Sequence, residues 1–260
     1  MGLNMNVKMR KLGSARLQLL AVEALRGLRR FMGGREVIEL LEREGLRVTQ
    51  VDLSRYVNGS VLPSPERSLE ILRALARANA LGLALQRKLT IDERGVVNIA
   101  AVAHDMAVLG LAAARAYAEL EDVGVDKVLT AAVNGVPLGT LVAHALGAGL
   151  CVARQDQDAS AESYIEVRYF APDPPRYAHL YLPSFALSRG DRVLIVDDLL
   201  RSGRTLRALS ELTFLGGAKV VAVLSLLAMG EDWRSAVPRT ASKVIVGLEV
   251  KGLQRAQGGL

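Results

Sequence analysis

Cysteine pairs, histidine clusters and long apolar runs are all missing from this chain of 260 residues. Cys151 is the only cysteine, which excludes an intramolecular disulfide and argues against a cysteine-based zinc site. No apolar run reaches membrane-spanning length; Val220–Met229 is too short and is interrupted by Ser225. The N-terminus has scattered basic residues but no uninterrupted hydrophobic stretch of the signal-peptide kind. A soluble, cytoplasmic protein is expected. His104, His144 and His179 are widely separated with no His-x-x-x-His pair, so all three read as structural histidines. No P-loop, nucleophilic triad, internal repeat or low-complexity segment stands out. Lysine is absent from the whole interval between Lys127 and Lys219.

Hydrophobic residues make up 50% of the chain and charged ones 23%, enough for a substantial core in one large or two smaller domains. The net charge of +6 is unevenly spread. Residues 1–78 hold 14 Lys and Arg against 8 Asp and Glu, whereas the remainder is balanced at 19 of each. An excess confined to the first third points to a nucleic-acid-binding module, with a solvated basic helix face as the plainer alternative.

Two different patterns divide the chain. Residues 14–32 read as an arginine-rich amphipathic helix stopped by Gly33-Gly34, followed by helices over Glu36–Glu44 and Thr49–Val57. Ser64-Pro65 opens a further helix, expected to continue to Leu85, since serine caps free amides and proline suits the first helical position. From about residue 90, short apolar strands alternate with helices, which signifies a parallel sheet. Strands are predicted near Val128–Val133, Leu150–Ala153, Val193–Val196, Val220–Leu224 and Val244–Val246. Helices are predicted at Ala100–Glu121, Leu138–Leu146 and Thr205–Leu215. Tyr164–Tyr169 and Ala178–Leu182, flanking Pro172-Asp173-Pro174-Pro175, look like a projecting hairpin.

The stretch VLIVDDLLRSGRTL (Val193–Leu206) carries the chemistry. An apolar strand meets two adjacent carboxylates, Asp197 and Asp198, and then a turn built from Arg201, Ser202, Gly203, Arg204 and Thr205. Outward-pointing amides at the start of the following helix favour a phosphate, and the serine and threonine hydroxyls add donors. The two acids would repel that phosphate and should face ribose hydroxyls or a magnesium ion. A capped helix with two exposed aspartates is the bland alternative; two carboxylates are a poor ending for an apolar strand without a partner.

These residues resemble the phosphoribosyl pyrophosphate signature of type I phosphoribosyltransferases. The resemblance implies that Asp197 and Asp198 hold the ribose hydroxyls and that Arg201–Thr205 holds the 5′-phosphate. Arg204 departs from the small residue usual there, which either tightens phosphate binding or crowds it. VLTAAVNGVPLGTLVAHALG (Val128–Gly147) resembles the strand–loop–helix that holds pyrophosphate, with Asn134, Gly135 and Val136 as the loop. Arg154 falls where the family often places a basic residue near pyrophosphate; a surface arginine is the alternative. The ligand would arrive with magnesium, no direct protein-only metal site being expected. Trp233 either stacks on a nucleobase or packs in the core, with packing favoured.

The mobile hood of the family corresponds to about Gln155–Tyr181. Orotate-type members use lysines there, and this chain has none. EVIELLEREGLRVTQVDLSRYVNGSVLPSPERSLEIL resembles the helix-turn-helix of phage-repressor-type regulators. That resemblance implies Gly45 at the turn, Leu41 and Val51 at the inter-helix contact, and a recognition helix from Thr49. Gln50, Asp52, Ser54 and Arg55 would face the major groove, with Asn58 and Ser60 near phosphates. The whole is similar to phosphoribosyl pyrophosphate-responsive purine repressors and to archaeal regulators that fuse the two modules. The expectation is an α/β protein: a DNA-binding domain over 1–78, then a phosphoribosyltransferase-like effector and dimerisation domain over 79–260. It would bind operator DNA as a homodimer and sense phosphoribosyl pyrophosphate or a nucleotide. The alternative is an active purine or orotate phosphoribosyltransferase with an N-terminal helical extension.

Overall fold

Capping groups decide where the helices of the first half begin and end. The computed structural model describes residues 2–90, 97–159, 161–172 and 175–250. Helix α1 (Gly2–Arg29) is followed by α2 (Gly34–Arg43) and α3 (Gln50–Asn58), the last opened by Thr49, whose Oγ1 accepts from the Asp52 amide at 3.1 Å. Helix α4 (Pro65–Arg77) starts at Ser64, whose hydroxyl accepts from the Arg67 amide at 3.2 Å.

The uninterrupted helix expected to Leu85 is instead two. Asn79 takes a left-handed conformation (φ 50°), which asparagine tolerates better than most residues. Its Oδ1 accepts from the Gly82 amide at 3.2 Å and so starts α5 (Ala80–Lys88). The helix expected over Ala100–Glu121 is likewise split, into α6 (Ala100–Ala103) and α7 (Met106–Leu120). Asp105 is the cause: its Oδ1 accepts from the amides of Ala107 and Val108, and its other oxygen takes the Lys88 ammonium at 2.5 Å.

Then come β1 (Lys127–Ala131), α8 (Gly135–Leu146), β2 (Gly149–Ala153), β3 (Tyr164–Pro172), β4 (Pro175–Pro183), β5 (Arg192–Leu200), α9 (Arg204–Leu215), β6 (Lys219–Met229) and β7 (Lys243–Val250). Five strands form a parallel sheet in the order β2-β1-β5-β6-β7, and β3 and β4 form a separate antiparallel hairpin. Asp173 and Pro174, at the expected hairpin tip, lie outside the described residues.

Alternate residues of β5 serve the two faces of the sheet. Leu194 and Val196 join a core with Leu138 and Val142 of α8, while Val193 and Ile195 join another with Leu206, Leu209 and Leu212 of α9. The first of these cores runs on without interruption through α7, α5, α4 and α1 to Val37, Leu41 and Leu53 of the N-terminal helices. The helical third is therefore seated on the sheet rather than strung from it.

Close approach of α5 to the last strand depends on Gly247. A Cβ there would lie 2.6 Å from both the Leu226 carbonyl oxygen and a Leu85 methyl. Backbone cannot yield as a side chain can, so Gly247→Ala is expected to destabilise the protein by about 1–3 kcal/mol. Urea unfolding followed by circular dichroism measures this; wild-type stability in the variant would refute the packing argument.

Candidate functional site

A cleft opens where the sheet changes direction. From β1 the chain crosses to β2 on one side, while β5, β6 and β7 extend on the other, and ligands of such sheets sit at this switch point beyond the carboxyl ends of the strands. Strand β1 pairs with β5 only as far as Leu129 opposite Ile195. Strand β5 does not end before the acids, as the sequence suggested; it runs on to Leu200 against β6 alone, with Asp197 opposite Ser225. Asp197 and Asp198 thus stand on a strand whose other neighbour has turned away.

Two adjoining cavities use these acids. One, of about 190 Å³, is lined by Asp197, Asp198 and Thr205 from one side and by Val133, Asn134 and Gly135 from the other. The second, of about 120 Å³, lies between Asp197 and the Arg201–Thr205 turn. Ser202 and Thr205 are half-buried, and Arg201 and Arg204 are exposed without an ion pair among the described residues. No side chain caps α9, so its first amides stay free for an anion. Gly203 is left-handed (φ 72°), and a Cβ there would sit 2.5 Å from Ala236 Cβ and 3.1 Å from Trp233 Cα. The turn is fixed both by its conformation and by the 3₁₀ segment Asp232–Ala236 behind it. Trp233 is buried, its Nε1 donating to the Gly230 carbonyl at 3.0 Å, so it packs rather than stacks on a ligand.

Asp197 is buried, and burial drives its carboxyl well above the ordinary aspartate range, with the adjacent Asp198 charge pushing the same way. The Asp198 amide donates to Asp197 Oδ1 at 3.0 Å, a partial compensation. Neither acid has a cationic partner among the described residues. Hard oxygen donors in this state suit sugar hydroxyls or a divalent cation.

The loop opposite is shaped from below. Thr130 is fully buried, and its Oγ1 has no hydrogen-bond partner among the described residues. A Cβ at Gly135 would lie 2.2 Å from that oxygen, so the loop's glycine is demanded by Thr130 beneath it. The Ala132–Val133 peptide is cis. Val133 is 78% exposed and lines the cavity together with Gln155, two residues the sequence reading passed over. Val133 follows the apolar strand and carries no chemical mark of a ligand contact. Val136 lies in the first turn of α8, outside the lining, and its carbonyl accepts from the Thr140 hydroxyl at 2.8 Å. Arg154 is also outside the lining; its guanidinium pairs with Asp158 at 2.9 Å while its backbone bridges to Tyr181.

The hairpin covers the sheet with Val167, Leu180 and Leu182, and Tyr169 reaches the cleft. Its other side carries polar and aromatic groups. His179 Nδ1 lies 2.5 Å from Glu166 Oε1, and the His179 and Tyr181 rings stack at 6.0 Å. His179 is therefore part of an exposed network in the hood, while His104 and His144 lie at the surface.

Among the N-terminal helices, Gly45 makes the turn between α2 and α3 (φ 79°). The inter-helix contact is not Val51, which is 58% exposed, but Leu53 with Leu41, Leu46 and Val48. The reason is phase: Val51 and Leu53 stand about 200 degrees apart on α3, and with Leu53 packed inward Val51 points out. Asp52 Oδ2 accepts from the Thr49 hydroxyl at 2.7 Å, and Asn58 Oδ1 accepts from the Ser60 amide and hydroxyl at 2.8 and 2.6 Å. These four are engaged in local hydrogen bonds, whereas Gln50, Ser54 and Arg55 are exposed on α3 without such bonds among the described residues.

A family model for the phosphoribosyl transferase domain matches residues 104–237. The chain is 35% identical over 92 residues to a probable purine biosynthesis transcriptional regulator of Streptococcus pneumoniae, covering 35% of this chain and 34% of that one. It is 31% identical over 115 residues to the transcriptional regulator GfcR of Thermoplasma acidophilum, covering 44% and 50%. The matches thus span a third to a half of the length of those relatives. Adenine phosphoribosyltransferase of Rhodothermus marinus superposes with a TM-score of 0.58 at 22% identity, over 65% of this chain and 98% of that chain. At that identity the likeness is one of fold. No helix of the described residues is long and apolar enough to cross a membrane.

The raised pKa of Asp197 has a thermodynamic sign. The native state holds a proton that the unfolded chain releases near 3.8, so Asp197 lowers stability as pH rises from that value through the folded pKa. Asp197→Asn keeps an acceptor for the Asp198 amide and removes the charge. We expect a higher melting temperature at neutral pH and a flatter pH dependence by scanning calorimetry; a lower melting temperature would contradict the assignment.

Proposed function

Because the chain belongs to the phosphoribosyl transferase domain family, we propose that it is a DNA-binding transcription regulator of purine nucleotide metabolism that senses phosphoribosyl pyrophosphate or a nucleotide. Residues 1–78 serve as the DNA-binding part and 79–260 as the effector-binding and dimerisation part, with a homodimer as the acting species. The observation that carries this reading is a pair of cavities lined by two acids, the Arg201–Thr205 turn and the Asn134-Gly135 loop under a lysine-free hood, built into one core with a basic helical module. The likeness to two transcriptional regulators supports it.

In this reading Asp197 and Asp198 accept from the ribose hydroxyls, while Arg201–Thr205 and the α9 amides bind the 5′-phosphate. Asn134 and Gly135 offer the start of α8 to the pyrophosphate, whose charge magnesium would share with the acids. Gln50, Ser54 and Arg55 of α3 read DNA. Catalysis of base transfer needs charge stabilisation on the departing pyrophosphate, usually the largest catalytic contribution. The hood's basic groups are thinly placed for it: Arg168 lies over the Tyr177 ring at 4.5 Å. An active phosphoribosyltransferase is the second reading, favoured by the intact pair of acids and phosphate turn.

Calorimetry with phosphoribosyl pyrophosphate and magnesium should show saturable binding, abolished in the double variant Asp197→Asn, Asp198→Asn and in Gly203→Val. Undiminished binding in both would discard the site. On the same preparation, pyrophosphate release with adenine, hypoxanthine, guanine, xanthine, uracil or orotate is expected to stay far below about 1 per second; ordinary enzyme turnover would promote the second reading.

Binding to the protein's own promoter DNA should weaken steeply with salt, as counterion release requires. Arg55→Ala is expected to cost about 1–3 kcal/mol if it contacts a guanine edge. Salt-insensitive binding, or an Arg55→Ala variant with wild-type affinity for every sequence tried, would remove α3 from the interface.

A further inference from the structure

Helix α7 carries a mid-helix glycine that packing does not require. A Cβ at Gly110 would meet no atom within 4 Å, yet glycine at such a position lowers helix stability relative to alanine. Gly27 of α1, facing the same helix, has a different reason: a Cβ there would come within 3.1 Å of the Ala107 carbonyl. What Gly110 does is leave space in a groove of about 430 Å³ between α1, α7 and α8, on residues other than those that line the ribose-phosphate cavities. Its walls are apolar, with Leu20, Leu141 and Ala113, and Met106 stands 62% exposed at its edge. That volume and that lining are those of a small-molecule site.

The rim supplies the charge. Glu23, Arg26 and Arg30 follow one another along one face of α1, and His144 of α8 is the other titratable group facing the groove. None of the three α1 groups is in an ion pair among the described residues. Two guanidinium groups against one carboxylate favour an anion. Arg26 also reaches α3: its Nε donates to the Val57 carbonyl at 2.5 Å, near the helix end at Gly59.

We propose that the groove between α1, α7 and α8 is a second binding site, for a small organic anion with an apolar body, and that its occupant acts on α3 through Arg26. An anionic group drawing on the Arg26 guanidinium competes with the Val57 carbonyl, the tether holding the end of α3. The consequence for DNA rests on the regulator reading above; the site itself does not.

Calorimetry on the full chain tests the site with decanoate, below its micelle concentration, beside decyltrimethylammonium, which has the same chain and the opposite charge. Decanoate should bind saturably and more tightly than the cation. Gly110→Leu, whose Cβ meets no atom within 4 Å and whose side chain takes up groove space, and Arg30→Glu should each weaken it by about tenfold or more. Equal affinity for the two probes, or unchanged decanoate binding in Gly110→Leu, overturns the proposal. So does a wild-type dimer that ignores decanoate and falls apart in Gly110→Leu, for then a second copy fills the groove. Hydrogen exchange at the Gly59 and Val61 amides reads the link to α3 without DNA. Decanoate should speed it in the wild type and leave it unchanged in Arg26→Gln, and exchange indifferent to decanoate in the wild type overturns the coupling. If exchange responds while promoter DNA does not bind, the regulator reading fails and the site stands.

Discussion

Two neighbouring carboxylates on one strand, without a cation to pair with among the described residues, are the constraint around which the cleft end of this molecule is organised. Burying an unpaired carboxylate costs several kcal/mol, on the order of what a whole domain keeps as net stability. The fold bears that cost with a sheet packed on both faces, so that β5 is apolar from Val193 to Val196 and acidic directly after it. The acids become tolerable where β1 leaves, since water and ligand can then reach β5 from the side that β1 no longer covers. Everything else at the cleft follows from holding that gap open: the loop seated over Thr130, the left-handed Gly203, and Trp233 braced behind it.

The sequence made the layered parts legible because their signals are local. Apolar runs of strand length, the Ser64-Pro65 start and the acid–acid–turn stretch each carry their meaning within a few residues. The splits at Asn79 and Asp105 were not legible, because apolar periodicity continues across both and only the side-chain hydrogen bonds reveal a new helix start. Val51 was misplaced because it and Leu53 stand about 200 degrees apart on a short helix, and only packing against α2 decides which of them turns inward. Gly135 was read as part of the pyrophosphate loop, and the structure gives it a cause that no local pattern carries, the hydroxyl of Thr130 directly beneath. Arg154 depended on the fate of a carboxylate four residues away, Asp158, which the chain turns back to meet it.

The two ends of the molecule are mechanically joined through α8. Its first turn, at Gly135, belongs to the ligand cleft, and its later residues Leu138, Val142 and Ala145 belong to the core shared with α7 and α1. Helix α1 in turn holds α3 through Arg26. Interiors packed to crystal-like density do not absorb a displacement by local softening; neighbouring elements move together or repack between discrete arrangements. A ligand of the proposed kind, satisfying the acids of β5 and drawing the start of α8 toward its phosphates, would therefore act on one part of a core that also carries α3. The left-handed break at Asn79 lies between them, with the Arg115 guanidinium donating to its side chain at 2.8 Å and to the Val246 carbonyl of the last strand at 3.0 Å. That arginine ties the junction of α4 and α5 to the sheet. A shift of the sheet relative to α7 thus reaches the N-terminal helices by two routes, α8 through the apolar core and Arg115 through hydrogen bonds, and neither route crosses a flexible linker.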